Sequence, residues 1–139
     1  GSGGTLGNGL ILIEGNLTVK ANMLYTTPLD TGTRELASVG IIVVKAADGN
    51  GGNISIKGTV TKIVGAWLAE GKISTGVSNE VLQVSGLMAA QSFEFGRVSA
   101  SQQEGSEIIT YDGRAVVNPP PGMGDVVKSL PIVTKAVPR

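Results

Sequence analysis

Gly40 to Gly58 reads GIIVVKAADGNGGNISIKG: an opening glycine, a β-branched run, a polar corner (ADGNGGN, Ala47 to Asn53) and a second short apolar strand, ISI. Three other stretches follow the same plan: GLILIEGNLTV from Gly9, GAWLAEGKISTG from Gly65 and GLMAAQSFEFGR from Gly86. Their opening glycines are spaced 31, 25 and 21 residues apart. A strand–corner–strand unit of this length buries its apolar face only against its neighbours, so the repeat predicts stacked coils. The expected fold is all-β: a single-domain, right-handed parallel β-solenoid (β-helix) of about four coils with a Pro-rich C-terminal tail. Counting from each glycine, Ile11 and Ile13, Ile42 and Val44, Trp67 and Ala69, and Met88 and Ala90 should share one face. The competing architecture is an antiparallel β-sandwich, for which NGL and DGN supply turn dipeptides.

Composition narrows the functions open to the chain. At 139 residues with 41% apolar residues it is one domain's worth, able to bury a core without disulfides. Eleven basic and eleven acidic residues cancel, which leaves no electrostatic footprint for nucleic acid or an anionic bilayer. The absence of Cys and His removes thiol chemistry, thiolate metal sites and the commonest general base. The longest apolar runs fall far short of the roughly 20 residues of a membrane helix, so no direct membrane insertion is expected.

Corners, loops and tail divide the rest. Residues 1–8, GSGGTLGN, read as a flexible linker or cloning scar of a processed or excised domain. Residues 9–110 form the solenoid, and 111–139 an extended tail. Leu24 to Ser38 is a polar surface loop inserted in the first coil. The tail carries five of the six prolines, with Pro119 to Pro121 in polyproline-like chain. It is expected to cover the last coil's open edge or to pack Val116, Val117, Val126, Val127 and Ile132 along the stack.

Each candidate chemistry meets a plainer structural explanation. Asp48, Asn50 and Asn53 in ADGNGGN approach a calcium loop, but one carboxylate does not make the repeated acid set such loops use, so no metal or other cofactor is expected. Glycine and asparagine suit a long corner in any case, because both tolerate the left-handed region. Glu14 and Glu70 fall at equivalent corners, where stacked acids are solvated rather than paired for glycoside chemistry. Ser55 and Ser74 lie close in sequence to Lys57, Lys62 and Lys72, a Ser–Lys pairing that alternation turns toward solvent. Trp67 and Tyr25 are the possible sugar contacts. With no site convincing on these grounds, the chain is expected not to be an enzyme.

Gly58 to Arg97, including GTVTKIVGAWLAEGKIST and VLQVSGLMAAQSFEFGR, resembles the rungs of polymer-forming bacterial β-solenoids of the bactofilin type. The chain is also similar to pilus-associated and other bacterial surface proteins whose solenoid ends in a YD-R segment followed by prolines, matched by Tyr111, Asp112, Arg114 and Pro119 to Pro121. The rungs here are longer and less uniform than those of bactofilins. The resemblance implies a structural protein, a filament or part of a cell-surface or extracellular assembly, with a cytoplasmic filament as the alternative location. The expected partner is a second copy, head to tail, or a larger parent assembly, through an open edge formed by Leu10, Ile11, Leu12, Ile13, Leu17 and Val19. The alternative function is a carbohydrate-binding or adhesion module with a glycan partner.

Overall fold

The computed structural model describes residues 8–25, 37–98 and 105–123, with the side chains of 115 and 116 excepted. It is all-β: one curled sheet of seven strands, followed by a single helical turn, α1 (Arg114–Val117). The strands are β1 (Asn8–Glu14), β2 (Leu17–Val19), β3 (Ser38–Val44), β4 (Ile54–Ile56), β5 (Lys62–Ser74), β6 (Leu82–Glu94) and β7 (Glu107–Thr110). Every pairing between these strands is parallel, which rules out the antiparallel sandwich. An antiparallel bridge occurs between Lys45 and Gly51, where it closes the ADGNGGN corner.

The long strands β5 and β6 divide the sheet into three ladders. The first stacks the start of β5 on the start of β6 and then β7. The second runs β1, β3, the middle of β5 and the middle of β6. The third runs β2, β4 and the ends of β5 and β6. Alternation then places one residue set inward on each ladder. Ile63 and Val84, Ile41 and Trp67, and Ile54 and Ile73 are all buried in one core cluster.

One expected face is corrected by the register. Ile11 pairs with Ile41, not Ile42, and Ile13 with Val43, not Val44. Ile41 and Val43 are buried while Ile42 and Val44 are half-exposed on the outer face. A slip of one residue reverses every side chain of a strand, so burial of the larger inward set decides it. The count from glycine failed because Gly40 does not open the strand. It pairs with Leu10 and Ala66 inside the ladder, and a Cβ there would collide with Met123 Sδ and come within 3.2 Å of Pro120 Cβ.

The corners follow local chemistry. Gly15 and Gly52 hold φ of +103° and +77°, and the Gly52 and Gly71 N–H groups donate to the Gly15 and Gly52 carbonyls. The following residues form a side-chain ladder: the Asn53 amide donates to Asn16 Oδ1 at 3.0 Å, and Lys72 N donates to Asn53 Oδ1 at 2.9 Å. EGN, GGN and EGK are therefore equivalent corners. ADGN is an excursion that leaves the ladder and returns to it.

Candidate functional site

The ends of the ladders carry the features that chemistry elsewhere in the chain lacks. At the near end β1 pairs with β3 and β2 with β4, and no described strand lies on their other edges. Gly15 N donates to Val44 O. Because N–H groups alternate sides along a strand, those of Ile11 and Ile13 point to β3 and those of Leu10 and Leu12 to the free edge. Leu10, Ile11 and Leu12 are exposed at 37%, 49% and 66%. Ile13 and Leu17 are half-buried, and Val19, on the edge strand β2, turns its side chain into the core cluster.

The far end is the mirror of this situation. Phe93 faces Ile73 in the third ladder and Ile109 faces Val84 in the first, both inward positions. Yet Phe93, Phe95 and Ile109 are exposed at 41%, 54% and 48%, because no described strand follows them. The two phenyl rings stack on each other at 5.6 Å, shielding part of that surface.

The tail does not cover this end within the described residues. It returns to the near end, where the Asn118 and Asn8 side chains bond each other, Ser38 Oγ donates to the Asn118 carbonyl, and Pro120 and Met123 are fully buried. Pro120 to Met123 is a turn closed by Met123 N to Pro120 O at 2.9 Å, rather than continuous polyproline chain. Val117 is exposed, against the expectation that it packs on the stack. The Val116 side chain and residues Val126, Val127 and Ile132 lie outside the described set, as do residues 1–7 and most of the loop inside Leu24 to Ser38.

The other candidates resolve into structural roles. Asp48 accepts from the Asn50 backbone and side-chain amides, each at 2.9 Å, whereas Asn53 points to Asn16, so the three do not converge on one point. The Asn50 hydrogen bonds hold the Asp48 carboxyl below its ordinary range. Glu14 and Glu70 reach the same excursion from its two sides: Glu14 accepts from Ala47 N at 3.0 Å and Glu70 from Lys45 N at 2.7 Å. They brace a corner. Ser74 Oγ donates to Ser55 Oγ at 3.2 Å, and Lys72 is paired with Glu94, whose carboxyl it holds below the usual value.

Neither proposed sugar contact stands on a platform. Trp67 is 1% exposed, with its indole N–H donating to Val64 O at 3.1 Å, so it is core. The Tyr25 hydroxyl accepts from Val39 N at 3.3 Å, and its ring lies 4.3 Å from the Arg114 guanidinium. Tyr25 thus anchors the returning tail.

The burial of two arginines, Arg97 and Arg114, escaped sequence reasoning. Arg97 is 6% exposed and donates to three carbonyls, Thr75 at 3.2 Å, Glu80 at 3.1 Å and Lys57 at 3.0 Å. It staples the chain where β4, β5 and β6 each leave the third ladder. Glu107 completes the junction by accepting from Thr75 Oγ1 at 2.7 Å and Arg97 N at 3.1 Å. Arg114, 7% exposed, lies beside Asp112 at 3.4 Å. The visible signal for both was the low overall charge: in a chain with eleven basic residues, an arginine after a strand is a candidate for carbonyl capping.

Comparison with known protein families, with curated proteins and with solved structures finds no match for this chain.

Proposed function

We propose that this chain is a non-catalytic structural module, a right-handed parallel β-solenoid of about four coils that self-assembles through its open ends. The observation that carries the reading is the exposure of inward-facing apolar residues at both ends, Ile11 on β1 and Phe93 on β6, beside free strand edges. A sheet edge with unpaired N–H and C=O groups is a template for another strand, and soluble proteins ordinarily blunt it with charge, proline or a cap. Leu10 to Ile13 carry neither charge nor proline, and among the described residues no strand lies on their outer edge. The absence of a catalytic role is supported by the partners of its acids and serines: Glu14 and Glu70 bond backbone amides, and Ser74 bonds Ser55.

The resemblance of Gly58 to Arg97 to bactofilin-type rungs supports a bacterial filament or cell-surface assembly as its setting. Electron microscopy and sedimentation of the concentrated protein test the reading. Filaments or concentration-dependent association are expected, and Leu12→Pro, which removes a free-edge donor, should return the protein to monomers with its circular dichroism unchanged. Dispersed monomers that instead bind on a glycan array would replace assembly with carbohydrate recognition.

A further inference from the structure

The described strands begin and end at complementary points of the same cycle. Along the chain the ladders are visited in the order second (β1), third (β2), first (Asn22 and Met23, where Met23 N donates to Lys62 O at 3.1 Å), then second again. The last strand, β7, lies in the first ladder, after which the chain leaves the sheet for α1. The position next in order is on the second ladder, over the middle of β6. A β1 strand is what that position takes.

Resting on the assembly reading above, we propose that copies stack head to tail in phase, with β1 of one copy continuing the second ladder over Leu87 to Ala90 of the next. The existing register sets the match. Ile11 and Ile13 of one copy fall on Met88 and Ala90, because the column Ile11–Ile41–Trp67–Met88 and its neighbour two residues on simply repeat. In the third ladder Leu17 falls on Phe93, through the column Leu17–Ile54–Ile73–Phe93. In the first, Met23 falls on Ile109. Each pair is apolar on apolar and inward-facing, so one contact covers the exposed surface of both ends.

Charge agrees with the same register. Thr18 falls on Glu94, through Ser55 and Ser74. That sets exposed Lys20 two residues past Glu94 on the outer face, on the other side of it from Lys72, which pairs with Glu94 from two residues before in the rung below. The contact is heterologous, near end to far end, so it propagates as a filament unless rotation closes it into a ring.

The chain has no Cys, which makes single-cysteine cross-linking clean. Leu12 and Ala89 are outer-face members of one column, Leu12–Ile42–Leu68–Ala89, and both are exposed. Parallel neighbours sit about 4.8 Å apart, within disulfide reach. Mixing Leu12→Cys with Ala89→Cys under mild oxidation should give a disulfide dimer that neither variant gives separately. Replacing the second by Ala90→Cys, on the opposite face, should abolish it. A dimer from Leu12→Cys alone means near edges pair with each other, and equal yields with Ala89→Cys and Ala90→Cys mean the register is not set; either overturns the proposal. Association of the unmodified protein without the Leu12–Ala89 cross-link overturns the phase while leaving assembly intact. An unmodified protein that stays monomeric at all concentrations overturns both.

Discussion

Asn8 and Asn118, 110 residues apart, exchange two side-chain hydrogen bonds, Asn8 Nδ2 to Asn118 Oδ1 at 2.5 Å and Asn118 Nδ2 to Asn8 Oδ1 at 2.9 Å. The pair joins the first strand of the second ladder to the returning tail. Residues 111–123 of the tail are therefore a strap along the side of the sheet, and among the described residues nothing covers the edge of β1 or the end of β6. Asn118→Ala removes both bonds and should lower stability by about 1–2 kcal/mol, since a typical intramolecular hydrogen bond contributes about 1 kcal/mol net. A shift of the urea midpoint checks this, and an unchanged midpoint would mean that the strap adds nothing.

Gly40 is the seat for that strap. Gly40→Ala puts a methyl against Met123 Sδ and 3.0 Å from Leu10 Cδ1, so Met123 must leave its fully buried site or the strand must shift. Overpacking of this kind costs about 1–3 kcal/mol. Met123→Ala in the same background should recover part of the loss. Two changes whose effects simply add in the double-mutant cycle would show that these residues do not meet.

Removing the Arg97 guanidinium strands three carbonyls at one junction. Arg97→Met keeps much of the stem volume and should still destabilise by roughly 3 kcal/mol, because buried acceptors lose a charged donor. Burial pulls the guanidinium below its ordinary pKa, but it stays charged at all accessible pH, with Glu107 and Glu80 opposing the shift. The loss should therefore be the same at pH 6 and pH 8 in chemical denaturation. A strong difference between the two would point to a titrating partner instead.

Tyr25 gives the fold an alkaline limit. Burial raises its pKa above the ordinary 10.0; Asp112 adds to the rise, while the Val39 N–H and Arg114 work against it. The folded state thus favours the neutral phenol more than the unfolded chain does. That contribution is fully present below pH 10 and is lost as pH rises through the folded value. Denaturation at rising pH should show stability falling in that window, with a tyrosinate absorbance change in step, and Tyr25→Phe should flatten the fall. An equal fall in Tyr25→Phe would assign it to other groups.

The corners were legible because their chemistry is local. Glycine supplies positive φ at Gly15 and Gly52, so ADGNGGN could be set opposite the EGN, EGK and AQS corners from sequence, while the asparagine bonds between rungs single out its last three residues, GGN. All-β character and a parallel sheet were legible too, from short apolar runs opened by glycine and from the repeat itself. The rung of β3 was not, since the glycine used as a marker there answers to Met123, a residue 83 positions away in the chain. Trp67 was equally ambiguous: a tryptophan flanked by alanines and leucine reads the same in a core as on a surface, and only the packing of β3 and β6 on either side buries it.

Sequence by itself determined which residues turn, which run straight and which sets repeat, because backbone conformation and apolar alternation are written within a few residues. Tertiary structure decided which side of β3 faces inward, where the tail lands, and that Arg97 and Arg114 lie buried. Each of those depends on free energy summed over contacts between distant segments, and one residue of register or one strap of chain reverses them without altering any local preference.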